Sequence, residues 1–270
     1  MNKKVALITG ASSGIGKALA YTFASQNFNL VLAARRIELL NHIANDLKDK
    51  FNVEVIAVKT DVSIEEDAKN FVNIAAEKFD RIDVLINNAG ISQRSIFSNT
   101  NLDVIKKVMS VNYWGAVFCT KYALPYLDKS KGSVIAISSI SGYTPLPART
   151  AYASSKYALH GFMESLRLEY LNKGVHVLVA TPSFTASEIR INALTENGNP
   201  QGFTPKDESK LMTAEYVAEK VFIAYKRKKR TLILPKIMGF LFIKFIQLFP
   251  NWSDRFIYSQ MKKEEKTPIE

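Results

Sequence analysis

The sequence predicts an α/β protein built on a doubly wound parallel sheet. One domain is expected over residues 1–270, with a helical C-terminal extension over 236–270. Three observations predict it. Short apolar runs alternate along the chain with longer runs of helical periodicity, as parallel strands joined by right-handed helical crossovers do. The apolar runs are mostly β-branched and free of polar alternation, as strands covered on both faces are. The first run also passes straight into a glycine-rich turn that opens a helix, "TGASSGIG" over 9–16.

The elements follow in order. "VALITG" (5–10) is the first strand and 15–25 the first helix. Strands "NLVLAA" (29–34), "VEVIAVKTD" (53–61) and "DVLINNAG" (83–90) follow, separated by helices over 37–50 and 64–78. One long helix, 102–127, leads to strand "GSVIAISS" (132–139). A helix over 151–172 precedes strand "VHVLVATP" (175–182). Residues 183–211 hold Gly198, Pro200, Gly202 and Pro205 and read as a substrate loop, since a long irregular stretch in a compact domain is often a lid. A helix over 214–228 and the strand "TLILP" (231–235) close the alternation. The apolar run 237–249 is broken by Lys244 and Gln247 and is too short to span a bilayer comfortably.

Composition narrows the function classes. At 47% hydrophobic residues, with 16 Phe and 11 Tyr, the chain has enough material for a core and is not globally disordered. The single cysteine, Cys119, excludes an internal disulfide and fits a reducing compartment. His42, His160 and His176 are scattered, so no metal is expected. The net charge of +11 favours polyanionic partners without selecting one. The basic run 226–230 reads as a solvated helix end that complements the helix dipole. No nucleic-acid module accompanies it, so no nucleic-acid partner is expected. The N-terminal apolar run breaks at Gly10 with no cleavage site after it, so it reads as a strand, and a cytoplasmic location is expected.

Gly10, Gly14 and Gly16 have the chemistry of a dinucleotide turn. Such glycines allow a tight reversal and a close approach of backbone N–H groups to a pyrophosphate, at a helix N-terminus that carries partial positive charge. Farther along, Tyr152 and Lys156 stand four residues apart, one turn from each other on one helix face. Alone, that pair is an ordinary amphipathic surface feature.

In combination it is more. The spacing G-x-x-x-G-x-G over 10–16, "NNAG" over 87–90, Asn112 in the next helix, "ISS" over 137–139 and "YASSK" over 152–156 occur in that order, with Tyr152 thirteen residues after Ser139. Over nearly the whole chain the pattern resembles the compact, single-domain branch of the short-chain dehydrogenase/reductase family, which has a Rossmann fold. The resemblance implies a nicotinamide cofactor held by Thr9, Gly10, Ser12, Ser13, Gly14, Ile15 and Gly16 in the first turn. By the same resemblance Asp61 and Val62 lie near the adenine, and Asn88, Ala89 and Gly90 line the nucleotide. After the sixth strand, Pro182, Ser183, Thr185 and Ser187 complete the cofactor set. Ser183 and Ser187 replace the family's usual Gly and Thr, so the Ser183 backbone must accept the conformation glycine takes there, while Ser187 keeps a hydroxyl for the carboxamide. The second strand ends "LAARR": Ala34 stands where the family's NAD enzymes tend to carry Asp, and Arg35 and Arg36 follow. A guanidinium binds a 2′-phosphate in bidentate fashion, so NADP(H) is expected over NAD.

A phenol has a pKa of about 10 and is a poor acid or base at neutral pH until a nearby cation favours its phenolate. Lys156 and an oxidised nicotinamide are such cations, which implies Tyr152 as general acid in reduction and general base in oxidation. The resemblance gives Lys156 a further contact to the nicotinamide ribose. It gives Ser139 the substrate oxygen, and Asn112 a water that relays protons to the lysine. Ile91, Gln93, Tyr143, Leu146, Phe184 and Ile189 are the candidate pocket residues beside Ser139, and they suggest a mostly apolar small-molecule carbonyl or secondary alcohol. A homo-dimer or homo-tetramer is expected. The tail either covers the pocket and a subunit interface, which would bury Phe240, Phe242, Phe245 and Phe249, or makes peripheral membrane contact through 236–250. Two rival functions share the scaffold: a non-catalytic nucleotide sensor, which the complete Ser139–Tyr152–Lys156 set argues against, and a membrane-surface lipid-binding protein.

Overall fold

The computed structural model describes residues 3–205, 207–264 and 266–269. Strand β1 (Val5–Thr9) is buried along its whole length, with Ala6 and Ile8 on one side of the sheet and Val5 and Leu7 on the other. Both faces are therefore apolar, which is why the run lacks polar alternation. Strand β2 (Asn29–Ala34) pairs with β1 in parallel, and β3 (Val55–Lys59) pairs with β2. The chain then crosses to the other side of β1 with β4 (Val84–Asn87), and β5 (Ser133–Ile137), β6 (His176–Pro182) and β7 (Thr231–Leu234) extend the sheet. The order is β3-β2-β1-β4-β5-β6-β7, seven strands, all parallel.

Helices cover both faces. On one side α1 (Gly14–Ser25), α2 (Ile37–Phe51) and α7 (Ala214–Lys226) bury Leu19, Phe23, Leu40, Leu47 and Val221 against the sheet. On the other, α3 (Glu65–Phe79), α5 (Gly115–Ser130) and α6 (Thr150–Glu169) bury Phe71, Cys119, Leu127 and Met163. Each such aliphatic or aromatic side chain contributes about 1.5–3 kcal/mol on burial. The strand order reverses between β1 and β4, and a crevice opens there beyond the carboxyl ends of the strands. The glycine turn and the 87–90 segment both lie at that point.

The structure refines the sequence-based expectations at several element bounds, β5 and α6 also ending earlier, at Ile137 and Glu169. The expected helix 102–127 is α4 (Leu102–Met109), a π turn (Ser110–Trp114) and α5. The strands expected over 53–61 and 83–90 end sooner, because the chain leaves the sheet to build the crevice. The tail forms two helices, α8 (Lys236–Leu248) and α9 (Pro250–Lys262). Helix α8 lies close on β7 at Gly239, where an added Cβ would sit 2.7 Å from Ile233 Cγ2. Ile243, Ile257 and Met261 are buried, but Phe240, Phe245 and Phe249 are exposed, as are Ile237, Met238, Leu241, Leu248 and Trp252. Phe242 is half-buried, so within one chain the tail leaves three of its four expected phenylalanines outward, where only a second surface could bury them. Among the described residues no helix is long and apolar enough to cross a membrane.

Candidate active site

The first turn is shaped by what its glycines lack. Gly10 and Gly14 have φ of +65° and +52°, where side chains are strained. An added Cβ at Gly10 would sit 2.8 Å from Ala89 Cα, and one at Gly16 would sit 2.2 Å from the Gly10 carbonyl oxygen. Thr9 Oγ1 accepts from the backbone N–H groups of Asn88 and Ala89, both at 3.0 Å, and donates to the Ile86 carbonyl at 3.3 Å. Asn88 Nδ2 donates back to the carbonyls of Thr9 (2.9 Å) and Gly10 (3.1 Å). The turn is thus tied to the end of β4. Thr9 and Gly16 brace it from behind, while Gly10, Ser12, Ser13, Gly14 and Ile15 line a cavity of about 580 Å³.

The same cavity is lined by Arg35, Arg36, Asp61, Val62, Asn88, Ala89 and Gly90. Arg36 Nη2 donates to Ser13 Oγ at 3.0 Å, to Ser12 Oγ at 3.3 Å and to Glu188 Oε2 at 3.0 Å. Arg35 is exposed. Asp61 Oδ1 accepts from the N–H (3.0 Å) and the hydroxyl (2.6 Å) of Ser63, which fixes the loop after β3. Pro182, Ser183, Thr185 and Ser187 line the opposite wall. Ser183 is not among the residues with positive φ, so serine meets no backbone strain where the family has glycine.

Ser139 follows β5, and Tyr152 and Lys156 occupy the first two turns of α6, all three on the cavity wall. The Lys156 ammonium lies 5.7 Å from the centre of the Tyr152 ring and donates to the Ile137 carbonyl at 3.1 Å. Burial raises the Tyr152 phenol above its ordinary value; a hydrogen bond with Ser139 and the charges of Arg149 and Arg190 oppose that rise. Lys156 is itself pushed down to about 8 by burial. Two further cations, Arg149 and Arg190, thus favour the Tyr152 phenolate against its burial.

Asn112 lies in the π turn, a distortion frequent at functional sites. Its Oδ1 accepts from the Ile91 N–H at 2.8 Å, and its Nδ2 donates to the Ile91 carbonyl and to Ser155 Oγ, both at 2.9 Å. It stands behind the cavity and joins the segment after β4 to α6. Gly90 fits this junction closely, since an added Cβ would lie 3.3 Å from Asn112 Oδ1 and 3.6 Å from Lys156 Nζ.

Of the expected pocket residues, Ile91, Leu146, Phe184 and Ile189 line the cavity, and Gln93 and Tyr143 do not. Gln93 is fully buried, with Nε2 donating to the Ser95 carbonyl (2.6 Å) and hydroxyl (3.0 Å). The Tyr143 ring lies edge-on against His160, centroids 4.6 Å apart, and His160 Nε2 is 2.7 Å from Ser138 Oγ. Arg149, Arg190 and Glu264 line the cavity without having been expected there. One signal marks Arg149: it takes the N-cap position of α6, where a cation opposes the helix dipole. No group of three His, Cys, Asp or Glu among the described residues could hold a metal.

A family model described as short chain dehydrogenase matches residues 4–198. The Rattus norvegicus protein named dehydrogenase/reductase SDR family member 7B is 33% identical over 276 residues, covering 99% of this chain and 84% of that relative. A short-chain dehydrogenase/reductase from Burkholderia phymatum, solved in complex with NAD, is 26% identical with a TM-score of 0.81, over 92% of this chain and 95% of that one. A short-chain dehydrogenase from Sphingobium yanoikuyae, solved in complex with NADPH, is 25% identical with a TM-score of 0.76, over 99% and 98%.

Proposed function

The chain belongs to the short-chain dehydrogenase family of oxidoreductases, and on that premise we propose that it interconverts a carbonyl and a secondary alcohol with NADP(H), using Tyr152 as its general acid and base. The observation that carries this is the convergence of Ser139, Tyr152 and Lys156 on one wall of a cavity whose other end is the glycine cradle. The cradle suits a dinucleotide: Gly10 and Gly16 leave no room for a Cβ, and α1 starts at Gly14, with its first residues Gly14 and Ile15 lining the cavity. The NAD- and NADPH-bound relatives support a nicotinamide cofactor here. For NADP(H) in particular, the support is Arg36 beside Ser12 and Ser13, with Ala34 in place of a carboxylate at the end of β2.

When bound, the nicotinamide supplies the hydride in reduction and takes it in oxidation. The chain supplies position and the proton. Burial keeps the Tyr152 phenol neutral, so in reduction its hydroxyl is a loaded proton donor to the substrate oxygen. Ser139, hydrogen-bonded to that phenol, holds the same oxygen in line. Lys156, pushed to about 8, stands close enough to neutrality to exchange a proton during turnover. Asn112 keeps the chain after β4 against α6, which preserves this spacing. The test is NADPH oxidation with a panel of ketones, aldehydes, keto-acyl thioesters and steroids. Turnover of at least one carbonyl, faster with NADPH than NADH, is expected, and none across the panel with either cofactor overturns the proposal.

A second reading concerns the tail. Ile237, Met238, Leu241, Leu248 and Trp252 are exposed on α8 and α9, with Lys236, Lys244, Arg255 and Lys262 exposed around them. Large apolar side chains exposed together on two successive helices suit an interaction surface, and four exposed cations against Asp254 favour an anionic one. We read it as a peripheral contact with an anionic membrane, from a cytoplasmic protein. Pelleting with anionic but not neutral vesicles supports this; a homo-dimer or homo-tetramer that buries Trp252 and ignores vesicles contradicts it.

A further inference from the structure

The face of α6 that carries Tyr152 and Lys156 continues one turn farther to His160, so the three residues recur at four-residue spacing. Each meets the chain as it leaves β5. Lys156 Nζ donates to the Ile137 carbonyl at 3.1 Å, His160 Nε2 lies 2.7 Å from Ser138 Oγ, and Tyr152 is hydrogen-bonded to Ser139. Three consecutive residues of that exit are thus tied to three consecutive turns of one helix face. Two of the ties belong to Tyr152 and Lys156, which line the cavity. The third belongs to His160, which is buried and does not line it, so His160 acts only through what it holds.

What it holds is a tight turn. The Ser138 N–H donates to the Ala180 carbonyl at 2.7 Å, which anchors the start of the turn to β6. Ser139 begins the reversal: its hydroxyl accepts from the Ser141 N–H at 3.2 Å, and its carbonyl accepts from the Gly142 N–H at 2.9 Å. The chain then comes back onto the same imidazole. A Cβ added at Gly142 would sit 2.6 Å from His160 Nε2, and the Tyr143 ring packs edge-on against His160. His160 therefore touches the turn on both sides of Ser139, at Ser138 before it and at Gly142 and Tyr143 after it. Close packing on both sides leaves the enclosed backbone little room to shift. We infer that His160 is a positioning residue: from within α6 it fixes the turn 138–143, and through that turn the separation of the Ser139 hydroxyl from Tyr152. This rests on the reading of Ser139 and Tyr152 as the groups at the substrate oxygen, and it names the residue that sets their spacing. The glycine cradle belongs to a different turn, after β1, so cofactor affinity does not depend on His160.

Two variants reach the contact from opposite ends. His160→Phe keeps a ring and loses the nitrogen at Ser138, and Ser138→Ala removes the hydroxyl. With the carbonyl that the native protein reduces fastest, each is expected to lower kcat by about 10–100-fold, the range for a small misplacement at the reacting atoms, with the Kd for NADPH unchanged. The double variant is expected to fall no further than the worse single one. His160→Gln, whose amide nitrogen can reach Ser138, is expected to recover part of the loss. In a Ser139→Ala background His160→Phe is expected to cost nothing more, because the hydroxyl it places is gone, whereas a merely structural role would still lower turnover there. Hydrogen exchange reads the same contact without turnover: amides over 138–144 are expected to exchange about ten-fold faster in His160→Phe, while β1 and β4 keep their protection. A kcat for His160→Phe within about three-fold of wild type, or a loss that persists in full in the Ser139→Ala background, overturns the inference. If the native protein reduces no carbonyl, exchange decides alone. Faster exchange confined to 138–144 would then leave the hold of His160 on the Ser139 turn standing and sink the proposed activity, and unchanged exchange would overturn the inference as well.

Discussion

Removing the Asn112 amide should loosen the junction on which the site is built. Asn112 is 2% exposed, and its three hydrogen bonds run to the Ile91 N–H, the Ile91 carbonyl and Ser155 Oγ. Asn112→Ala leaves the two backbone groups of Ile91 without these partners, while Ser155 keeps its bond to the Tyr152 carbonyl at 2.7 Å. Orphaning a buried polar group costs about 1–3 kcal/mol, so two cost about 2–6 kcal/mol, with the lower end reached if water enters the gap. Against a total stability on the order of 5–15 kcal/mol that is a large fraction. In a domain of this size, it corresponds to a fall in Tm on the order of 5–25 °C. Asn112→Asp restores the acceptor for the Ile91 N–H but sets an oxygen against the Ile91 carbonyl, so it should recover only part of the loss. Urea denaturation followed by circular dichroism measures both. A loss below about 1 kcal/mol for Asn112→Ala would refute the clamp, because solvent or relaxation would then be satisfying Ile91 at no cost.

Arg36→Ala should weaken NADPH more than NADH by about 1.5–3 kcal/mol in fluorescence titrations, the range for hydrogen bonds to a charged group; equal weakening would show that Arg36 does not read the 2′-phosphate. Glu188→Gln, which frees Arg36 from its 3.0 Å ion pair, should tighten NADPH and leave NADH unchanged. His160 is pushed down to about 4 by burial, so below its ordinary value near 6.5 the unfolded chain takes a proton that the folded one refuses. Its stability contribution is complete above about 6.5 and is lost as pH falls toward 4, by up to about 3 kcal/mol. The urea midpoint of His160→Gln should therefore fall less steeply than wild type between those pH values, and parallel curves would contradict the shift. Cys119, fully buried with its thiol pushed up to about 12, should resist Ellman's reagent at pH 8 until the protein is unfolded in urea.

Much of the fold was legible because its signal is local. The run "NLVLAA" is apolar on both faces, and β2 spans the residues expected of it. The glycine turn announces itself by residues whose side chains would collide with Ala89 and Gly10. The π turn at Ser110–Trp114 left no such mark. Its caps, Met109 and Gly115, have ordinary helical dihedrals, and only the hydrogen-bond pattern reveals the distortion. Gln93 was expected in the pocket, yet its amide turns inward to satisfy Ser95. Tyr143 likewise turns to His160 rather than to the cavity. Arg94 is paired with a carboxylate at position 264, and nothing local to the arginine announces where the tail will run. Contacts across such separations depend on tertiary path, and periodicity carries no information about it.

Tyr152→Phe tests the central claim most directly, because it removes one hydroxyl and keeps the ring that packs in the cavity wall. The account predicts that the Kd for NADPH stays within a factor of about two of wild type, while turnover of any carbonyl the native protein reduces falls by about 10²–10⁴-fold, the range for loss of a general acid. Turnover within ten-fold of wild type, with NADPH binding intact, would contradict it and move the proton to another group.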